Sequence, residues 1–125
     1  MEVLAGRVLI HPTDLARSTA FYRDVLGLAV FREFPGGTVF FLGGGYLEVS
    51  GRAAGQAAGG VQLWMQVRDL AAAHRELAAH GVTVLREPRR EPWGLDEMWI
   101  ADPDGLRIVV VEVPPEHPMR QDPRS

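Results

Sequence analysis

Two stretches of this chain follow one plan. The first runs Arg7-Val-Leu-Ile-His-Pro-Thr-Asp14-Leu15, then a helical segment, then Gly27-Leu28. The second runs Gln62-Leu-Trp-Met-Gln-Val-Arg-Asp69-Leu70, then a helical segment, then Gly81-Val82. Asp14 and Asp69 lie 55 positions apart, and Gly27 and Gly81 lie 54 apart. A strand–helix–strand unit repeated at that period occupies nearly all of the 125 residues. The surface on which the two copies meet is then the first place to look for function.

The local chemistry fits each copy. Residues 7–12 read as a strand. Thr13 or Asp14 can cap the following helix, because a short oxygen-bearing side chain accepts from its free N–H groups. That helix runs from about Leu15 to Leu26 with Phe21, Tyr22, Val25 and Leu26 on its apolar face, and Gly27 stops it. Strands follow at Ala29–Glu33, Thr38–Leu42 and Tyr46–Ser50, with Pro35-Gly36-Gly37 and Gly43-Gly44-Gly45 as turns. The second copy repeats the order: a strand over 61–67, a helix over Leu70–Ala79, and a strand over Val82–Glu87. A loop containing Pro88 and Pro92 leads to strands Glu97–Ala101 and Leu106–Val113, joined by Asp102-Pro103-Asp104-Gly105. Module 1 covers about 5–50, a small-residue linker 51–60, module 2 about 61–113, and a patternless, proline-bearing tail 114–125.

The implied fold class is α+β: two βαβββ modules whose mixed sheets, each backed by a helix, curl around a shared cleft. Strand alternation sorts the faces. Val61, Leu63, Met65 and Val67 point to the helix, and Gln62, Trp64 and Gln66 to the cleft. The same parity puts Val8 and Ile10 under the first helix, and Arg7, Leu9 and His11 toward the cleft.

Composition narrows the partners. A chain 46% hydrophobic and 23% charged can bury a core of its own. It contains no cysteine, which removes disulfides and thiolate metal sites. A net charge of −3, with Arg86, Arg89 and Arg90 as the largest basic cluster, does not suggest nucleic acid. No apolar run reaches membrane-spanning length and the N-terminus is not a signal peptide, so the expected location is the cytoplasm.

Several short motifs, in order along nearly the whole chain, resemble the vicinal oxygen chelate superfamily, which holds glyoxalase I, extradiol dioxygenases, fosfomycin-resistance enzymes and bleomycin-resistance proteins. They are Asp14-Leu15-Ala-Arg-Ser18-Thr-Ala-Phe21-Tyr22 with Leu26-Gly27-Leu28, Val67-Arg-Asp69-Leu70, Pro92-Trp93-Gly94 and Asp102-Pro103-Asp104-Gly105. The loop at Pro92 leading to Asp102 is most similar to the bleomycin-resistance branch. The resemblance implies the paired βαβββ fold and a homodimer. In the enzymes of that superfamily it also implies a divalent metal held from cleft-facing strands. The four ligand positions fall here on Arg7, Glu48, Gln62 and Val109. Arginine stays protonated and offers no acceptor, and valine has no donor atom. Only Glu48 and Gln62 remain, fewer than the three protein ligands a catalytic site normally uses. His11 lies roughly 13 Å along the strand from Arg7 and does not replace it. No cofactor is expected; the alternative is a divergent divalent-metal site.

The expected site is therefore a small-molecule cleft lined by Arg7, Leu9, His11, Tyr46, Glu48, Gln62, Trp64, Gln66, Trp93 and Val109. Arg7 and Glu48 form either a buried salt bridge or an anchor for a ligand carboxylate, phenolate or amine. Trp64 and Trp93 either stack on a planar ligand or pack in the core or dimer contact, and Trp99 reads as core. His11 is either a hydrogen-bonded rim residue or, with Glu48, a weak candidate for acid–base work. The Arg86–Glu91 charges read as a solvated loop or a cleft lid. The leading function is metal-independent binding of an antibiotic or aromatic metabolite. Its rivals are an enzyme of lyase, isomerase or dioxygenase type, and a scaffold whose cleft is plugged by its own side chains.

Overall fold

The computed structural model describes residues 1–2, 4–51 and 61–118. Most of the expected linker, and the tail beyond 118, lie outside the described residues. The chain divides into two compact units, Met1–Gly59 and Gly60–Ser125.

The first unit contains β1 (Val8–Ile10), α1 (Leu15–Ala20), β2 (Val30–Phe34), β3 (Gly37–Leu42) and β4 (Gly45–Ser50). Its sheet has the order β1-β4-β3-β2, with β1 parallel to β4 and the other pairs antiparallel. Asp14 caps α1, its carboxylate accepting from Arg17 N at 3.0 Å. The α-helix stops earlier than its pattern suggests. Phe21–Val25 form a π-helical turn, and Leu26 N donates to Phe21 O at 2.9 Å. The wider turn accompanies a fully buried Tyr22, whose ring meets Phe21 edge-on at 5.2 Å and Phe40 at 6.3 Å. Phe40, Leu47 and Val49 complete this core. Register places Val8 with Leu47 and Ile10 with Val49 on the helix-backed face. Val8 is nonetheless 39% exposed.

The second unit contains β5 (Leu63–Gln66), α2 (Leu70–Ala79), β6 (Thr83–Arg90), β7 (Asp96–Ala101) and β8 (Arg107–Glu112). Its order, β5-β8-β7-β6, has the same sense: β5 parallel to β8, the rest antiparallel. Asp69 caps α2 through Ala72 N, and Glu112 on β8 accepts from Leu70 N at 2.8 Å. Leu63, Leu70, Leu77, Met98, Ile100 and Ile108 are buried. Asp102 Oδ1 accepts from both Asp104 N and Leu106 N, which closes the turn before β8.

The two units together make an α+β fold of paired βαβββ modules with two four-stranded mixed sheets. Three local readings are corrected. First, β6 runs on to Arg90 instead of ending at Glu87. Pro88 is tolerated because β6 is an edge strand and its register with β7 skips between Arg86 and Arg89. Second, Arg86–Glu91 is not a solvated loop: Arg86 lies in β6, and Glu91 is buried in ion pairs with Arg86 and Arg89. A buried carboxylate has to be paired, and the arginines supply the charge. Third, Val61 precedes β5 and is half-exposed instead of lying under α2.

Candidate functional site

The helix-free face of the first sheet can be read from its register. Leu9 pairs with Glu48, Glu48 with Val39, Tyr46 with Phe41, and Ser50 with Gly37. These side chains share a face because paired residues point the same way. The expected residues Arg7, Leu9, His11, Tyr46 and Glu48 are gathered here.

Their polar part is a continuous chain. Arg7 NH1 donates to Glu48 Oε1 at 2.9 Å, Ser50 Oγ donates to Glu48 Oε2 at 2.8 Å, and His11 Nδ1 lies 2.8 Å from the Ser50 carbonyl. Hydrogen bonding from Ser50, and then from Arg7, holds the Glu48 carboxyl below its ordinary value. The pair is not a buried one: the Arg7 side chain is 39% exposed and that of Glu48 15%. Gly37 helps to set this geometry. A Cβ at Gly37 would come within 2.6 Å of both Phe34 Cζ and Ser50 Cβ, so its hydrogen leaves the space from which Ser50 reaches Glu48.

The apolar part includes two residues missed from the sequence. Phe31, Phe41 and Tyr46 form an aromatic trio. Phe31 stacks on Tyr46 at 4.7 Å, with Phe31–Phe41 at 5.1 Å and Phe41–Tyr46 at 5.7 Å. Phe31 and Phe41 stay 45% and 42% exposed. The signal for Phe41 was present: a two-residue turn at Gly43-Gly44 sets Phe41 opposite Tyr46. Phe31 joins them beside a register shift between Val30 and Arg32, which no periodicity announces.

Gln62, Trp64, Gln66, Trp93 and Val109 belong to the second unit. Gln62, Trp64 and Gln66 are exposed, and Trp64 pairs with the buried Val109. Trp93 Nε1 donates to the buried Glu97 at 2.8 Å, and Trp93 O is 3.1 Å from His117 Nε2. Trp99 packs on the cluster Leu95, Val109, Val111 and Val113, between the guanidinium groups of Arg86 at 3.6 Å and Arg107 at 4.3 Å. Burial pushes the Arg86 guanidinium down from its ordinary value, and the neighbouring Arg89 charge adds to the effect. Among the described residues, no group of three or more His, Cys, Asp or Glu side chains could hold a metal ion, and no helix is long and apolar enough to cross a membrane.

Comparison with known proteins agrees with this architecture. A solved protein of unknown function from Agrobacterium tumefaciens superposes with a TM-score of 0.75 at 25% identity, covering 91% of this chain and 95% of that one. A lactoylglutathione lyase from Agrobacterium tumefaciens gives 0.70 at 24% identity, covering 90% and 94%. TioX from Micromonospora sp. ML1 gives 0.72 at 21%, covering 87% and 95%. No match was found among curated proteins. The family model described as the Glyoxalase/Bleomycin resistance protein/Dioxygenase superfamily matches residues 5–110. The chain therefore belongs to the glyoxalase/bleomycin resistance protein/dioxygenase superfamily.

Proposed function

We propose that this protein binds a small aromatic molecule, an antibiotic or an aromatic metabolite, without a metal ion. The observation that carries the reading is the open aromatic trio beside a charged handle on one sheet face. A contiguous, half-exposed aromatic cluster is costly to leave in water and suits stacking against a planar ring. The donor set does not fit a divalent ion. Arg7 stands at one ligand position, both oxygens of Glu48 are engaged by Arg7 and Ser50, and Val109 has no ligating atom. A carboxyl held below its ordinary value is also a weak general base, which supports binding over acid–base turnover at Glu48.

The test is calorimetric titration of the intact protein with a panel of aromatic metabolites and antibiotics, with and without EDTA. Saturable binding that is indifferent to EDTA and is lost in the Phe31→Ala/Phe41→Ala variant is the expected result. Binding that appears only with added divalent metal would overturn the proposal.

A further inference from the structure

The trio and the handle sit on adjoining strands of the first sheet. Strand order places β1 beside β4, β4 beside β3 and β3 beside β2. One register step before Val8–Leu47, Arg7 lies level with Tyr46, which pairs with Phe41, which touches Phe31. The backbone positions thus run Arg7, Tyr46, Phe41, Phe31 from strand to strand, while the three rings close into one cluster with centroids 4.7–5.7 Å apart.

The two members of the charged handle are not equally accessible to a ligand. Glu48 has one oxygen on Arg7 and the other on Ser50, and its side chain is mostly covered. Arg7 places NH1 on Glu48 and is more than twice as exposed. A guanidinium carries five N–H donors in a planar fork, so among the described residues most of them remain for a ligand. The half-exposed Leu9, paired with Glu48, adds an apolar neighbour beside this handle. What this face offers outward is therefore hydrogen-bond donation and positive charge beside an aromatic cluster. A cationic ligand would meet the guanidinium first and would reach the carboxylate only by displacing its partners.

From this we infer that the ligand is an aromatic anion, a fused or extended ring bearing a carboxylate or phenolate that docks on Arg7 while the ring lies over Tyr46, Phe41 and Phe31. The inference rests on the binding function proposed above and sets its charge preference. Basic aromatic drugs are disfavoured by the same geometry.

Three probes of one shape test it: 2-naphthoate, 2-naphthamide and 2-naphthylmethylammonium, titrated calorimetrically into the intact protein at neutral pH. Naphthoate should bind at least about tenfold more tightly than either of the others, the scale of one charge-assisted bidentate contact. Arg7→Met should collapse the acid-to-amide ratio toward one, and Arg7→Lys should restore part of it. Equal affinities, or tighter binding of the ammonium, would overturn the charge preference and leave the binding function standing. Absence of saturable binding by all three would overturn both. The comparison of probes on the unmodified protein needs no variant to fold.

Discussion

Trp93 is clamped to the protein by its indole nitrogen, and Trp93→Phe isolates that clamp. The substitution keeps an aromatic ring on a residue that is more than half exposed, so little apolar burial is lost. It removes the donor that Glu97 accepts at 2.8 Å. Glu97 is only 5% exposed, so water does not readily replace the lost bond. A hydrogen bond to a charged group contributes about 1.5–3 kcal/mol, and a buried acceptor stripped of its partner falls in the same range, so a loss of about 2 kcal/mol is expected. With a urea dependence of about 1.5 kcal/mol per molar, the unfolding midpoint should fall by roughly 1.3 M. All three tryptophans lie in the second unit, so emission from Trp64 and Trp99 still reports its unfolding in the variant. Adding Glu97→Met, which has no comparable acceptor, completes a double-mutant cycle, in which a coupling of about 1–2 kcal/mol between the two positions is expected. A Trp93→Phe midpoint within about 0.2 M of the parent would refute the reasoning and return Trp93 to the status of a free surface ring.

Other outcomes follow from the same geometry. Gly94→Ala should lower the melting temperature by about 4 °C, since φ is +91° there and a new Cβ would lie 3.1 Å from His117 Cδ2; a thermal shift assay reads it. Asp69→Ala should cost about 1 kcal/mol and speed amide exchange at Ala72, with the Glu112 bond to Leu70 N limiting the damage. Glu48 sets an acid-side dependence. Its folded carboxyl takes up a proton less readily than the ordinary value of 4.5, so its stabilising contribution is complete above that pH and disappears as pH falls through the depressed folded value. Ser50→Ala removes the largest cause of the depression. The stability gap between parent and variant should therefore be widest above pH 4.5 and close on acidification, and a gap independent of pH would contradict the assignment.

Local rules were legible where one residue carries them. The first helix start was narrowed to Thr13 or Asp14, of which Asp14 caps, and its repeat counterpart Asp69 caps the second; the glycine run at 43–45 marked the turn whose register unites Phe41 with Tyr46. The Arg7–Glu48 partnership followed from the ligand positions implied by the family resemblance, with strand parity setting Arg7 on the same face. What the pattern could not carry were features decided by tertiary packing. The π-helical turn at Phe21–Val25 accompanies the burial of Tyr22. Strand β6 continues through Pro88 because only one side of it is paired. Glu91 looked solvated among Arg86, Arg89 and Arg90, since a run of charges in sequence does not disclose that two of them fold back over the third. Phe31 was passed over because its place in the trio accompanies a register shift.

That proline has a consequence for how the protein behaves in crowded solution. Edge strand β6 has no N–H at Pro88, and the next two residues, Arg89 and Arg90, carry side chains 58% and 57% exposed. A foreign strand attempting to zip along it would meet a proline and exposed charged side chains. Polymerisation into ribbons through this edge is thereby discouraged, and concentrated stocks should resist gelling by that route.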